Sequence, residues 1–251
     1  MTDYALHELC SVALAETFRG DGEILASPIG VVPTIAARLA KLTFSPDLLL
    51  TDGVASLLAS VPALGGEQSA IVEGWLPYRA VFDVVWSGKR HVVMGASQID
   101  RFGNQNICFI GERERPKAQL LGMRGAPGNT INHATSYWVP RHDRRAFVER
   151  VDVVSGIGHD RARALGVAAR FHCIRRVVSN LGVFDFATPD GAMRLVSVHP
   201  GVRIEQIREQ TSFPLVVPSN VTETRAPTSD ELRLIRERID PENRGARELA
   251  A

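Results

Sequence analysis

The sequence predicts an α/β fold, a single domain with an open mixed sheet and helices on both faces. Short apolar segments typical of strands alternate with segments whose apolar residues recur at helical spacing, and this alternation favours parallel pairing. The 251 residues, of which 45% are hydrophobic, suffice for one large core. We expect this domain to span residues 1–219, with a linker and a helix in residues 220–251 packed on it.

The N-terminal part predicts a helix–strand–helix–strand order. Apolar residues three and four apart predict a helix over residues 3–18. The segments EILAS at 23–27 and DLLLT at 47–51 predict short buried strands, with a helix starting near Pro33 between them. The second strand ends at an Asp-Gly turn that contains Asp52.

The remaining elements are less regular. Residues 54–90 predict loop and short helix, because periodicity is weak and Gly and Pro are frequent. The predicted strands that follow are HVVMG (91–95), QNICFIG (105–111), RAFVERV (145–151), HCIRRVVSN (172–180), GVFDF (182–186) and MRLVSVHP (193–200). Residues 201–211 predict an amphipathic helix. Thr228 and Glu231 have the spacing of a capping box for the last helix.

Composition argues against several classes of protein. Lys and Arg total 29 and Asp and Glu 28, so the net charge of +1 gives no electrostatic footprint for nucleic acid or an anionic membrane. The apolar runs are far shorter than the roughly 20 residues of a membrane span. Three cysteines without a CxxC pair indicate reduced thiols in a cytoplasmic chain. The seven histidines show no metal-binding spacing, so we expect no metal site.

A glycine-rich segment, GMRGAPGNT at Gly122–Thr130, is the strongest local candidate for function. Its composition indicates sharp backbone turns or a close approach to another group. The interpretations are a structural turn, or backbone N–H groups directed at an anion or a thioester oxygen. The G-x-x-G-x-x-G spacing differs from the dinucleotide-binding pattern.

Two further segments carry polar groups beside predicted strands. Gln98, Asn104, Gln105 and Asn106 form a dense set of amides, which can hold a polar ligand or cap turns. Asp52 lies at the end of a strand, where residues often line ligand crevices, although Asp-Gly is also an ordinary turn.

Four segments, taken in order, resemble the beta subunit of class I (3-oxoacid-type) coenzyme A transferases. They are GASQIDRFGNQN, GMRGAPGNT, RVVSNLGVFDF and VHPGVRIEQIREQTSFPL. The resemblance implies an open α/β sandwich. It also implies a working unit of alpha and beta chains with the active site between them.

One departure from the transferase pattern concerns the nucleophile. Transferase beta chains carry a glutamate in an S-E-N-G run, whereas the matching segment here is LLLTDG, with Asp52 near the glutamate position. Aspartate is shorter by about 1.5 Å, and a misplacement of about 1 Å can cost roughly a hundredfold in rate. The segments EGWLPYRAVFDVVWSGKRHVVMG, GNTINHATSYWV and VDVVSGIG are similar to the beta subunit of IpdAB-type hydrolases of bacterial steroid catabolism.

This narrower resemblance implies a hydrolase that opens the ring of a cyclohexenone carboxyl-CoA thioester by water addition and retro-Claisen cleavage. The essential glutamate is then expected on an alpha partner, in an α2β2 heterotetramer. Coenzyme A enters as part of the substrate, with no permanently bound cofactor. The residues expected to bind substrate are Gln98, Asn104, Gly122, Arg124, Gly125 and Asn129.

The sequence is also compatible with two alternatives. One is a coenzyme A transferase beta subunit that uses Asp52 as nucleophile. The other is a subunit without catalytic groups that only completes its partner.

Overall fold

The computed structural model describes residues 3–250, without the side chain of Ala250. The helices are α1 (Leu6–Ala15), α2 (Val31–Leu42), α3 (Tyr78–Ser87), α4 (Ala126–Asn132), α5 (His159–Leu165), α6 (Ile204–Glu209), α7 (Ser229–Arg233) and α8 (Arg244–Ala250). The strands are β1 (Leu25–Pro28), β2 (Leu50–Thr51), β3 (Ser56–Leu58), β4 (Val72–Trp75), β5 (Arg90–Gly95), β6 (Gln98–Ile99), β7 (Gln105–Asn106), β8 (Phe109–Gly111), β9 (Pro116–Gln119), β10 (Ala134–Val139), β11 (Cys173–Ser179), β12 (Gly182–Asp185), β13 (Arg194–Val198) and β14 (Thr222–Glu223).

Two compact units divide the chain, one formed by residues up to Val93 together with those from Arg225, the other by residues 94–224. In the first unit β1 pairs in parallel with β5, placing Leu25 opposite Arg90. Leu25 also forms a parallel bridge with Leu49, just before β2. The parallel pairing predicted for the N-terminal strand–helix–strand segment is therefore confirmed.

The C-terminal segment packs within the first unit. Arg236 binds the Glu8 carboxylate on α1 with an Nε–Oε1 distance of 2.7 Å. The Glu248 carboxylate on α8 accepts a hydrogen bond of 2.6 Å from the backbone N–H of Val32, at the start of α2. The predicted capping box at Thr228 is confirmed, and the boundary at residue 219 stays a prediction.

An exposed aromatic face lies on β4 and α3, in a segment for which the sequence predicts loop and short helix. Trp75, Tyr78, Phe82 and Trp86 are 77%, 73%, 50% and 72% exposed. The last three recur at intervals of four residues, so they share one side of α3. Residues 54–90 thus hold β3, β4 and a ten-residue helix, and the short-helix prediction underestimates their order.

The second unit contains a mixed sheet. Strands β10 and β11 pair in parallel, β11 with β12 and β12 with β13 pair antiparallel, and β13 pairs in parallel with β14. The structure therefore confirms the predicted α/β class with a mixed sheet. Within residues 3–250 no helix combines the length and apolarity needed to cross a membrane.

Strand β10 has no counterpart in the sequence prediction. Tyr137 and Trp138 are buried, and so are Thr135 and Ser136, which are both 0% exposed. Because polar and apolar residues are all buried here, the segment lacks the alternation that marks a half-exposed strand.

The strand predicted at residues 145–151 is wrong. The Asp143 carboxylate accepts hydrogen bonds from the backbone N–H groups of Arg145 and Ala146, at 2.8 and 2.9 Å, and this arrangement forms a turn. Phe147 is fully buried and stacks on the His142 ring with centroids 3.5 Å apart. The segment meets β6 only through a single parallel bridge between Phe147 and Ile99, and it forms no strand of its own.

Gly182 provides a test of the β12–β13 pairing. A Cβ at this position would lie 2.5 Å from the Ser197 carbonyl oxygen, so we expect Gly182→Ala to push the strands apart. Overpacking of this kind costs about 1–3 kcal/mol, measurable as a lower free energy of unfolding in urea. Gly95→Ala is the control, because its Cβ would meet only the Trp138 carbonyl oxygen at 3.9 Å. Equal stability of the two variants would contradict the predicted close approach.

Candidate active site

The turn between β6 and β7 is built on a buried aspartate. Asp100 Oδ1 accepts hydrogen bonds of 3.0 Å from the backbone N–H groups of Phe102 and Asn104. Burial raises the pKa of Asp100, and the Asp160 carboxylate adds to this effect, while the hydrogen bonds from Asn104 and Phe102 oppose it. The turn therefore concentrates polar groups in a buried place.

Asn104 is the centre of this polar cluster. Its Nδ2 donates to Asp100 Oδ2 and Asp160 Oδ1, both at 2.9 Å, and its Oδ1 accepts from the Gly158 N–H at 2.8 Å. The residue is 2% exposed. The amide nitrogen and the amide oxygen thus both have partners inside the protein, which favours the turn-capping interpretation over direct contact with a ligand.

The side-chain amide of Gln98 is likewise held by other residues of the protein and belongs to this structural framework. Its Oε1 accepts from Asn106 Nδ2 at 2.8 Å and from the Asp152 backbone N–H at 3.0 Å. Its Nε2 donates to Asp152 Oδ2 at 3.2 Å. Gln105 differs, because its Nε2 donates to the Gly95 carbonyl while its buried Oε1 has no partner among residues 3–250.

The glycine-rich segment divides into a strained loop and a helix. Gly122 and Arg124 have φ angles of +82° and +51°, and the second is uncommon for a residue with a side chain. Arg124 is exposed, and its Nε donates to the Leu121 carbonyl at 2.9 Å. Helix α4 starts directly after Gly125, so the predicted loop is shorter than the sequence indicates.

Asn129 lies on α4 and faces back toward this loop. It is 3% exposed, and its Nδ2 contacts Met94 Sδ at 3.3 Å. Its Oδ1 has no partner in the described part of the chain. A Cβ at Gly125 would lie 3.5 Å from Asn129 Nδ2, an ordinary contact. The structure therefore brings Gly125 and Asn129 together, whereas Gln98 and Asn104 belong to the framework.

Two histidines that the sequence does not single out lie close to α4. His172 Nδ1 donates to the Thr130 carbonyl at 2.7 Å, and the His172 and His159 rings are 4.7 Å apart in an edge-to-face contact. Burial lowers the pKa of both, to about 4 for His159, so both rings are neutral near pH 7. Each has a buried Nε2 without a partner among the described residues. Their separation of thirteen positions matches no motif.

Asp52 lies in the first unit, at a cavity of about 550 Å³. Its Oδ1 accepts hydrogen bonds from the backbone N–H groups of Val54, Ala55 and Ser56, at 2.8, 2.9 and 2.9 Å. Partial burial raises the pKa of this carboxyl, but the backbone N–H groups outweigh it and leave the pKa below its usual value. The carboxylate therefore closes a turn at the edge of the cavity.

No group of three or more possible metal ligands is found among residues 3–250. The side-chain chemistry that the described sites offer is thus hydrogen bonding, neutral imidazole and charge.

Comparisons with known proteins agree on one family. The family model described as Coenzyme A transferase matches residues 8–210. The chain is 53% identical over 250 residues to the "Cholesterol ring-cleaving hydrolase IpdB subunit" of Rhodococcus jostii (strain RHA1), covering 100% of this chain and 98% of that protein. It is 56% identical over 244 residues to the subunit of the same name from Mycobacterium tuberculosis (strain ATCC 25618 / H37Rv), covering 96% and 97%.

Among solved structures, the chain matches the crystal structure of Rhodococcus jostii RHA1 IpdAB. The TM-score is 0.94 at 53% identity, and the match covers 98% of this chain and 99% of that chain. Sequence and fold therefore point to the same relatives.

Substitution of Asn104 tests whether its side chain stabilises the fold or binds the substrate. Asn104→Ala removes the donors to Asp100 and Asp160 and the acceptor for Gly158. Because a buried group left without a partner costs about 1–3 kcal/mol, we expect a clear drop in the free energy of unfolding. Asn220→Ala, at an exposed position, is the control. A variant of unchanged stability that shows only a raised KM would instead assign Asn104 to the substrate.

Proposed function

This chain belongs to the coenzyme A transferase family, and from that premise we propose that it is the beta-type subunit of a heteromeric hydrolase. The complex opens the ring of a steroid-derived cyclohexenone carboxyl-CoA thioester by water addition and carbon–carbon cleavage. The observation that carries this proposal is the identity of 53% and 56%, over nearly the whole chain, to subunits named for ring cleavage.

The proposal includes a partner and a location. An alpha-type chain supplies the essential glutamate, and the two chains form an α2β2 heterotetramer in the cytoplasm. Coenzyme A enters as part of the substrate and needs no permanently bound cofactor. Support comes from the candidate site itself, where the buried amides of Gln98 and Asn104 are engaged in the framework. The groups that activate water are then expected from the partner.

The chemistry assigns a specific task to the glycine-rich loop. In a retro-Claisen cleavage the oxygen of water bonds to the ring carbonyl carbon. The bond from that carbon to the carbon next to the thioester then breaks. The electron pair becomes the thioester enolate, whose oxygen needs hydrogen-bond donors. The backbone N–H groups of Arg124 and Gly125 lie in an exposed loop next to buried Asn129 and are the donors we propose.

The geometry of Asp52 argues against the transferase alternative. A nucleophilic carboxylate must direct one oxygen at the acyl carbon with its side chain free to reorient. Asp52 Oδ1 instead accepts three backbone N–H bonds of 2.8–2.9 Å, which hold the side chain in its turn. A lowered pKa also makes this carboxylate a weaker nucleophile. We therefore propose hydrolysis, with no covalent thioester on this chain.

We expect ring opening only from the co-purified alpha–beta complex, detected by mass spectrometry of products from steroid-derived CoA thioesters. In heavy-oxygen water the new carboxylate gains one labelled oxygen, and borohydride leaves this chain at its unmodified mass. The control is each chain purified alone, for which we expect no turnover. Transfer of CoA to an added carboxylic acid, together with borohydride reduction at Asp52, would overturn the proposal in favour of a transferase.

Gly125 tests the loop. Its φ of −84° suits any residue and a Cβ has room beside Asn129, so Gly125→Val is expected to fold and to assemble with the alpha-type chain. If the loop contacts the thioester, the added side chain displaces the substrate. Loss of one oxyanion donor typically costs about 2.7–4 kcal/mol, so we expect kcat/KM to fall at least ~100-fold.

Melting temperature and steady-state kinetics, measured on wild type, Gly125→Ala and Gly125→Val, complete this test. We expect similar melting temperatures and a graded loss of activity. Wild-type kinetics in a folded Gly125→Val complex would exclude the loop from the site.

A further inference from the structure

The cavity in the first unit is lined mainly, but not only, by apolar residues, and one of its three arginines, Arg90, lacks a carboxylate partner among the described residues. Its volume of about 550 Å³ lies in the range of small-molecule sites, about 300–1,000 Å³. Apolar lining residues include Val31, Leu50, Leu58, Val81 and Val84. The walls therefore suit an apolar group of the size of a substituted ring.

Arg90 enters this cavity from the first position of β5. It lies opposite Leu25 in the β1–β5 ladder, and its Nε donates to Ser27 Oγ at 2.8 Å. Ser27 and Arg90 both line the cavity. This hydrogen bond orients the guanidinium and leaves its two terminal nitrogens available. Burial lowers the pKa of Arg90, with no nearby carboxylate to counter the effect, although a guanidinium keeps its charge near neutral pH.

The other charged groups at the cavity are already engaged. Arg38 binds Glu67 with an Nη2–Oε1 distance of 2.7 Å, and Arg244 binds Glu242 at 2.9 Å. Asp52 accepts its backbone hydrogen bonds. Arg90 forms no ion pair with any residue in the range 3–250. A partly buried cation of this kind is costly unless an anion completes it.

We propose that Arg90 binds a carboxylate carried by an apolar ring in this cavity, and so selects ring substrates that bear an acidic group. The assignment rests on the proposed function, since it specifies the substrate of that activity. A guanidinium held at Nε offers its terminal N–H groups to both oxygens of a carboxylate, whereas a primary amine acts as a point charge. The phosphates of CoA fit less well, because Arg38 and Arg244 are already paired with carboxylates and only the Arg90 cation remains for a multiply charged group.

Binding of small probes tests the proposal without turnover. Isothermal calorimetry on the alpha–beta complex compares cyclohexanecarboxylate with the neutral cyclohexanecarboxamide. We expect the carboxylate to bind at least tenfold more tightly, and Arg90→Gln to abolish the difference. Arg90→Lys and Ser27→Ala are expected to reduce it. Arg79→Gln is the matched control, because Arg79 is exposed on α3 and does not line the cavity.

Each outcome decides the question. Equal binding of both probes by wild type, or full carboxylate preference in a folded Arg90→Gln complex, would overturn the proposal. If Arg90→Gln does not assemble, the Arg90→Lys and Ser27→Ala variants carry the test, and unchanged preference in both overturns it. Binding of inorganic phosphate that depends on Arg90, without binding of the ring carboxylate, would assign the arginine to CoA. Arg90-dependent carboxylate binding in a complex without ring-opening activity would refute the proposed function and retain the anion site.

Discussion

Buried carboxamide side chains impose one constraint on the second unit. Burial removes their hydrogen bonds with water, so each of these bonds must be replaced by one inside the protein. Asn104 meets it by joining its own turn to Gly158 and Asp160, and Gln98 meets it by binding Asp152. These residues are more than fifty positions apart from their partners. The hairpin of β6 and β7 is therefore fixed to the segment that leads into α5. The glycine-rich loop lies near this rigid support, which is a requirement for donors that must be placed accurately.

Local patterns in the sequence predict a large part of this architecture. The capping box at Thr228 depends on residues three apart, and β11 to β13 have apolar residues bounded by turns, so each appears in the prediction. Strand β10 is not predicted from the sequence, because tertiary packing buries its polar residues together with its aromatic residues. The segment at 145–151 fails for the opposite reason, because the Asp143 side chain bends an apolar stretch into a turn.

In the candidate site, too, local features can be predicted from the sequence, whereas contacts between distant segments cannot. The glycine-rich composition of residues 122–130 predicts sharp turns, and the positive φ angles of Gly122 and Arg124 agree with that prediction. Nothing in the sequence singles out Arg124 for such a conformation. The partners of the amides cannot be predicted, since they come from distant segments. The same holds for the cavity, which unites residues of β1, β2 and α3 with Arg90. A single unpaired arginine is recognisable only after its possible carboxylate partners have been located.

The placement of the tryptophans has an optical consequence. Trp138 is 2% exposed in the second unit, whereas Trp75 and Trp86 are 77% and 72% exposed in the first. An indole in an apolar interior emits at shorter wavelength and is shielded from aqueous quenchers, while a hydrated indole emits to the red and is quenched by iodide. The native chain thus contains two separable fluorescent populations, one in each unit. Loss of the shielded emission reports the opening of the second unit, and protection of the exposed emission reports coverage of the aromatic face, without any added label.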